Sequence, residues 1–126
     1  MTDNDIALRN KQLILDGLAR FATGDIEVLR ELLHPDFIEH SPGNPSGRDA
    51  FIDVIADAPV ASARLDIKRV VADADHVVVH YHMVEADHPR GLAVTDIWRL
   101  VDGLITEHWD VVQAVPDAAE IPHGMF

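Results

Sequence analysis

Eight histidines in 126 residues supply most of this chain's capacity for proton transfer or metal binding, and their positions sort them. The segment Val101-Asp102-Gly103 suits a three-residue hairpin loop, with Gly103 at the left-handed position. That register sets Leu100 opposite Leu104, Trp98 opposite Thr106, Asp96 opposite His108 and Val94 opposite Asp110. Strand side chains alternate, so Asp96, Trp98, His108 and Asp110 share one face. A two-residue loop would instead bring Asp96 opposite Trp109. The preceding strand adds His80 and His82 to one of its faces, with Tyr81 and Met83 on the other. His40 ends an earlier strand, just before a loop rich in proline and glycine.

These types favour acid–base chemistry. Desolvation raises the pKa of a carboxylate in an apolar pocket toward the range useful for proton transfer. A neighbouring histidine can orient it, or donate to an oxygen that gains charge. Other chemistries lack their parts. There is no cysteine, hence no thiolate nucleophile and no disulfide. Ser41, Ser46 and Ser62 sit in no nucleophile elbow, and Lys11 and Lys68 are the only lysines. No glycine-rich phosphate loop is present. Two plainer readings compete. His108 beside Asp96 or Asp110 could be an exposed cross-strand ion pair worth less than about 1 kcal/mol. His80 and His82, with a third ligand such as His108, could form a metal site. His34, His76, His88 and His123 adjoin turns or the terminus and read as solvated surface groups.

The elements that must position these groups follow from periodicity. Residues 5 to 22 read as a helix, with Ile14, Leu18 and Phe21 at helical spacing. A short second helix runs through Ile26, Leu29, Leu32 and Leu33 and ends at His34-Pro35. Asp36 to His40 is a short strand. Ser46 with Asp49 three residues later resembles a capping box and predicts the start of a third helix carrying Phe51, Ile52 and Ile55. Residues 63–72, 76–86, 92–101 and 104–114 then read as strands. Helices first and a strand meander after predict an α+β domain spanning 1–126, with helices on one face of an antiparallel sheet. The tail from Val115 should be irregular, its Ile121, Met125 and Phe126 lying over the sheet edge or the pocket mouth.

Composition narrows the partners. The formal net charge is −12, from 22 acidic and 10 basic residues. Such a surface repels nucleic acid and anionic lipid. No apolar run approaches the roughly 20 residues a membrane span needs, and the acidic Met1-Thr2-Asp3-Asn4-Asp5 start has no apolar region that would read as a signal peptide. The expectation is a cytoplasmic protein.

Several segments together resemble the SnoaL-like polyketide cyclase family. They are Phe37-Ile38-Glu39-His40-Ser41-Pro42, Gly47-Arg48-Asp49-Ala50-Phe51, Val79-His80 and Val94-Thr95-Asp96-Ile97-Trp98-Arg99. The most specific is Asp102-Gly103-Leu104-Ile105-Thr106-Glu107-His108-Trp109-Asp110. The resemblance implies a nuclear-transport-factor-2-like fold, a cone of strongly bent sheet with three helices across its open side, usually dimeric. It implies that the face carrying His108 and Asp110 looks into the cone. It further implies proton transfer by a pocket aspartate in an aldol-type cyclisation, with no metal or cofactor, and Asp110 matches that aspartate. His40-Ser41-Pro42 stands where one branch has His-Asn-Pro, so one substrate contact differs.

The expected site is therefore Asp110, His108 and Asp96 as catalytic groups, with His40, His80, His82 and Trp98 contacting a hydrophobic small molecule. Asp110 would take a proton from a carbon beside a carbonyl; His108, with His40 or His80, would donate to the oxyanion. An isomerase or dehydratase could use the same parts. A non-catalytic small-molecule binder of the same fold is the alternative. A homodimer is expected because Trp109, Ile97 and Ile105, read as facing away from the pocket, need cover.

Overall fold

The computed structural model describes residues 1–126. Helix α1 (Asp3–Ala22) starts at Thr2, whose hydroxyl accepts from the Asp5 amide while the Asp5 carboxylate accepts from the Thr2 amide. Its buried stripe is Asn10, Ile14, Gly17 and Phe21, the spacing of one helix face. Gly17 lets helix α2 (Val28–Leu32) come close: a Cβ there would lie 2.5 Å from Leu32 Cδ1, and that side chain would have to turn aside. Asn10 is the polar member of the stripe, and its Nδ2 donates to the Ala74 carbonyl at 3.0 Å, fastening the helix to a strand turn.

Strand β1 (Leu33–Glu39) follows, then helix α3 (Arg48–Ala56), a 3₁₀ turn (Pro59–Ala61), and strands β2 (Arg64–Ala72), β3 (His76–Glu85), β4 (His88–Val101) and β5 (Leu104–Ala114). The sheet order is β1-β5-β4-β3-β2. The three helices pack on this five-stranded sheet as the α+β reading requires. The sheet is mixed rather than purely antiparallel, because the chain crosses from β1 through α3 before building the meander, and β1 lies parallel to β5. The core sits between helices and sheet, around Phe37, Leu33, Val77 and Val79, all almost wholly buried. Strand β4 starts at His88 rather than 92, since Glu85 already pairs with His88 across a tight turn.

The β4–β5 hairpin settles the register question with neither expected answer. Its loop is two residues, Asp102 (φ 50°) and Gly103 (φ 81°), both left-handed as a type I′ turn demands. Leu100 pairs with Ile105, but Arg99 pairs with Glu107, leaving Thr106 as an extra residue in a bulge. The bulge restores the parity that the shorter loop alone would have reversed. Asp96 lies opposite Asp110 and Trp98 opposite His108. All four still share the inner face, and Ile105, expected outside, is turned into the core.

The tail does pack, with its last residue on the outer face of the sheet, over β3 and the edge strand β2. The Phe126 ring lies 4.6 Å from the His82 ring and 5.5 Å from that of His80, with Lys68 Nζ 5.4 Å away. No helix is long and apolar enough to cross a membrane.

Candidate active site

A cavity of about 330 Å³ lies between the helices and the inner face of the sheet, and 17 of its 24 lining residues are hydrophobic. α1 contributes Ile14 and Phe21 and α3 contributes Phe51 and Ile55, the same side chains that form the helices' buried stripes. The polar groups come mainly from the sheet: Tyr81, Asp96, His108 and Asp110. Trp98 also lines the cavity, as an apolar wall.

His108 is 4% exposed and held between two carboxylates. It donates from Nδ1 to Glu39 Oε1 at 2.8 Å and from Nε2 to Asp96 Oδ1 at 2.9 Å. Burial works to discharge the ring, but the bonds to Asp96 and Glu39 outweigh it and its pKa is pushed up to about 9. The ring is therefore an imidazolium at neutral pH. It stacks on Trp98, with centroids 3.8 Å apart and planes 22° apart, a placement that favours the cation. The Ser41 backbone N–H donates to the same Glu39 oxygen at 3.0 Å. Glu39 Oε2 is buried without a donor, so His108 is the only cation set against that carboxylate.

Asp110 differs. It is half-buried and makes no ion pair. Burial raises its pKa, and the charges of Asp96 and Glu39 reinforce the rise; the Ser41 hydroxyl and the His108 charge pull the other way, less strongly. The Tyr81 phenol is also pushed far up, by burial first and then by the adjoining Asp96 carboxylate, so it stays a proton donor throughout the physiological range. The cluster thus offers one basic carboxylate on the cavity wall, one locked imidazolium, and one phenol.

The structure gathers Asp96, Trp98, His108 and Asp110 as the sequence suggested, and separates three others from them. His80 and His82 project to the outer face, because β3 buries Val77, Val79, Tyr81 and Met83 and exposes the alternate set. His80 Nδ1 accepts from Arg69 and His82 is hydrogen-bonded to the Arg90 carbonyl. His40 also lies outside, stacked on Trp109 at 4.9 Å and bonded to Glu107 at 2.6 Å. None of the three lines the cavity. His108 is no free oxyanion donor either, since both ring nitrogens are already engaged.

Sequence reasoning passed over Glu39 and Tyr81. Both had a signal. Glu39 shares the parity of Phe37, the most deeply buried residue of β1, and Tyr81 shares that of Val77 and Val79. A metal could be held only by Asp96, His108 and Asp110, whose ligand atoms lie within 4.8 Å of one another. To ligate, His108 would have to lose the proton that its two carboxylates hold in place.

The sequence pattern of the SnoaL-like domain matches residues 15–108, well over half of the chain. The chain belongs to the SnoaL-like family. The match ends at His108, so Asp110 lies just beyond it. Solved structures agree on the fold of this SnoaL-like chain. An NTF2-like protein of unknown function from Burkholderia xenovorans superposes with a TM-score of 0.77 at 14% identity, covering 94% of this chain and 96% of the other. A candidate ketosteroid isomerase from Kribbella flavida gives 0.75 at 18% identity, over 91% and 88%. An LEH-like epoxide hydrolase from M. tuberculosis gives 0.70 at 16% identity, over 85% and 84%. No curated protein matches the sequence.

Proposed function

We propose that this SnoaL-like chain is a cofactor-free enzyme that moves a proton on a carbonyl compound, in an aldol-type cyclisation or a related isomerisation or dehydration. The observation that carries this reading is Asp110, an unpaired, half-buried carboxylate of raised pKa on the wall of an apolar cavity. Asp110 takes the proton from the carbon beside the carbonyl, and the apolar wall keeps water from competing. The Tyr81 hydroxyl, kept protonated by burial and by its hydrogen bond to Asp96, exchanges that partner for the oxygen that gains charge. Asp96, Glu39 and His108 act as a buried charge cluster that fixes the electrostatics behind these two groups. The neighbours described as an isomerase and an epoxide hydrolase support acid–base chemistry in such a cavity without specifying which reaction.

Deuterium exchange tests this without knowledge of the natural substrate. A small apolar ketone such as 2-tetralone, incubated with the protein in D₂O, is expected to gain deuterium beside its carbonyl faster than in buffer, and Asp110→Asn should abolish the gain. Saturable binding of ketones with no accelerated exchange would instead establish a non-catalytic binder.

A homodimer belongs to the same proposal. The outer face carries Trp109 and Ile97, and beside them Val111 is 69% and Ile38 45% exposed. A second copy would cover them. Sedimentation at micromolar concentration is expected to give twice the monomer mass, and Val111→Lys should shift the protein toward monomer. A monomeric wild type would refute the dimer.

A further inference from the structure

The charges lining the cavity are arranged asymmetrically. No lysine or arginine lines it. The Asp96–Asp110 row crosses the sheet with Trp98, His108 and Ile105 on one side of it, and Val94, Val112 and Leu92 line the stretch on the other. At the far end of that stretch stands Glu85, six residues along β3 from Val79, the partner of Asp96. At the rise of an extended strand that is roughly 20 Å along the sheet. The inward parity of Tyr81 and Met83 continues to Glu85, which is half-buried and lines the cavity. It has no cationic partner within ion-pair distance: nearby Arg90 reaches toward Asp117 at 3.8 Å, and His88, opposite Glu85 across the hairpin, makes no ion pair.

An unpaired carboxylate beside apolar surface is costly to desolvate when a ligand covers it, unless the ligand brings the countercharge. An anionic ligand would meet a negative surplus at the Asp96–Asp110 row, where the His108 imidazolium is already shared by two carboxylates, and a second carboxylate at Glu85. A ligand with an ammonium group at the far end would meet Glu85 there and leave its carbonyl at Asp110.

We propose that the cavity selects an elongated apolar ketone carrying a protonated amine at its distal end, and that Glu85 is the residue that sets this selectivity. The inference rests on the reading of the cavity as a ketone-acting site. It adds that the substrate is not a carboxylic acid or a phosphate ester.

Three probes of matched length separate the possibilities: 11-aminoundecan-2-one, 2-dodecanone and 11-oxododecanoic acid. Each is titrated calorimetrically against the wild-type protein, Glu85→Gln and Glu85→Lys at low and moderate salt. The wild type is expected to bind the amine roughly 10-fold tighter than the neutral ketone and the acid at least roughly 10-fold more weakly still, with differences that shrink as salt rises. In Glu85→Gln the amine's advantage should collapse, and in Glu85→Lys the order of amine and acid should reverse. Two variants of opposite design keep the test decisive if one folds poorly. Deuterium exchange beside the carbonyl is followed in parallel. Equal wild-type affinities for the amine and the acid would overturn this inference and, with exchange intact, leave the proton-transfer reading standing. Amine preference without exchange would sustain the charge selectivity and remove the proton transfer. Binding of none of the three would defeat both.

Discussion

Asp110→Asn is expected to lower the rate of proton transfer by roughly 10²–10⁴-fold while leaving ligand affinity nearly unchanged. The amide keeps the shape of the carboxylate and removes its basicity. The wild-type rate should rise with pH as Asp110 ionises, and because burial holds its pKa above the ordinary aspartate value, that rise comes at higher pH than for a solvated aspartate. The variant should lose this acidic limb altogether. Stability moves the other way. A raised folded pKa means that folding favours the protonated form, so the ionised carboxylate weakens the folded state once pH exceeds that pKa. Asp110→Asn should therefore melt at the same or a slightly higher temperature than the wild type at neutral pH. A pH–rate profile with a melting curve on each protein reads both effects. Full activity in Asp110→Asn would remove Asp110 from the chemistry. An equal loss from Asp96→Asn, with its binding intact, would move the base across the hairpin to a carboxylate that the structure shows bonded to His108.

The four inward residues of the hairpin were legible from alternation alone, yet for an incomplete reason. A three-residue loop and a two-residue loop followed by a bulge place the same side chains on the same face. They differ in which residues stand opposite each other, and Asp96 faces Asp110, not His108. The bulge at Thr106 has no composition signal of its own. The histidines of β3 show the converse failure. Read for chemistry, His80 and His82 suggested a site; read for burial, the run Val77, Val79, Tyr81, Met83 marks the other face as the inner one, and the structure follows burial. His40 and Glu39 repeat the lesson at the end of β1, where parity with Phe37 sends the glutamate inward and leaves the histidine stacked on Trp109. Pairing of β1 with β5 was not legible, because it joins segments far apart in sequence through a parallel contact that no local turn specifies. That pairing brings Glu39 to His108, and with it the charge state of the site.

The charge cluster makes His108 the residue whose loss the fold should feel most. Replacing it with glutamine leaves Glu39 and Asp96 buried, their side chains 0% and 6% exposed, without their cation. Breaking a buried pair by removing one partner costs roughly 3–5 kcal/mol, because the surviving charges stay desolvated. For a chain of this length that corresponds to a fall of roughly 10–20 °C in melting temperature. The deficit should depend on pH with a definite sign. In the wild type, the folded imidazolium titrates near 9 against 6.5 as the ordinary value. Its contribution is therefore complete below 6.5 and disappears as pH rises through about 9. In the variant, lowering the pH protonates the stranded carboxylates and recovers part of the loss. The gap between the two proteins should thus be widest near neutrality, narrow toward pH 9 and above, and narrow again in acid. Urea unfolding of both proteins from pH 4 to 10 measures it directly. An exposed cross-strand pair would give less than about 1 kcal/mol at every pH, and a gap that small would mean that His108 carries no buried charge. Glu39→Gln provides the internal control. It keeps His108 paired with Asp96 and removes one of the two bonds that hold the proton, so the alkaline loss of stability should begin at lower pH than in the wild type, a shift that a purely steric role for Glu39 would not produce.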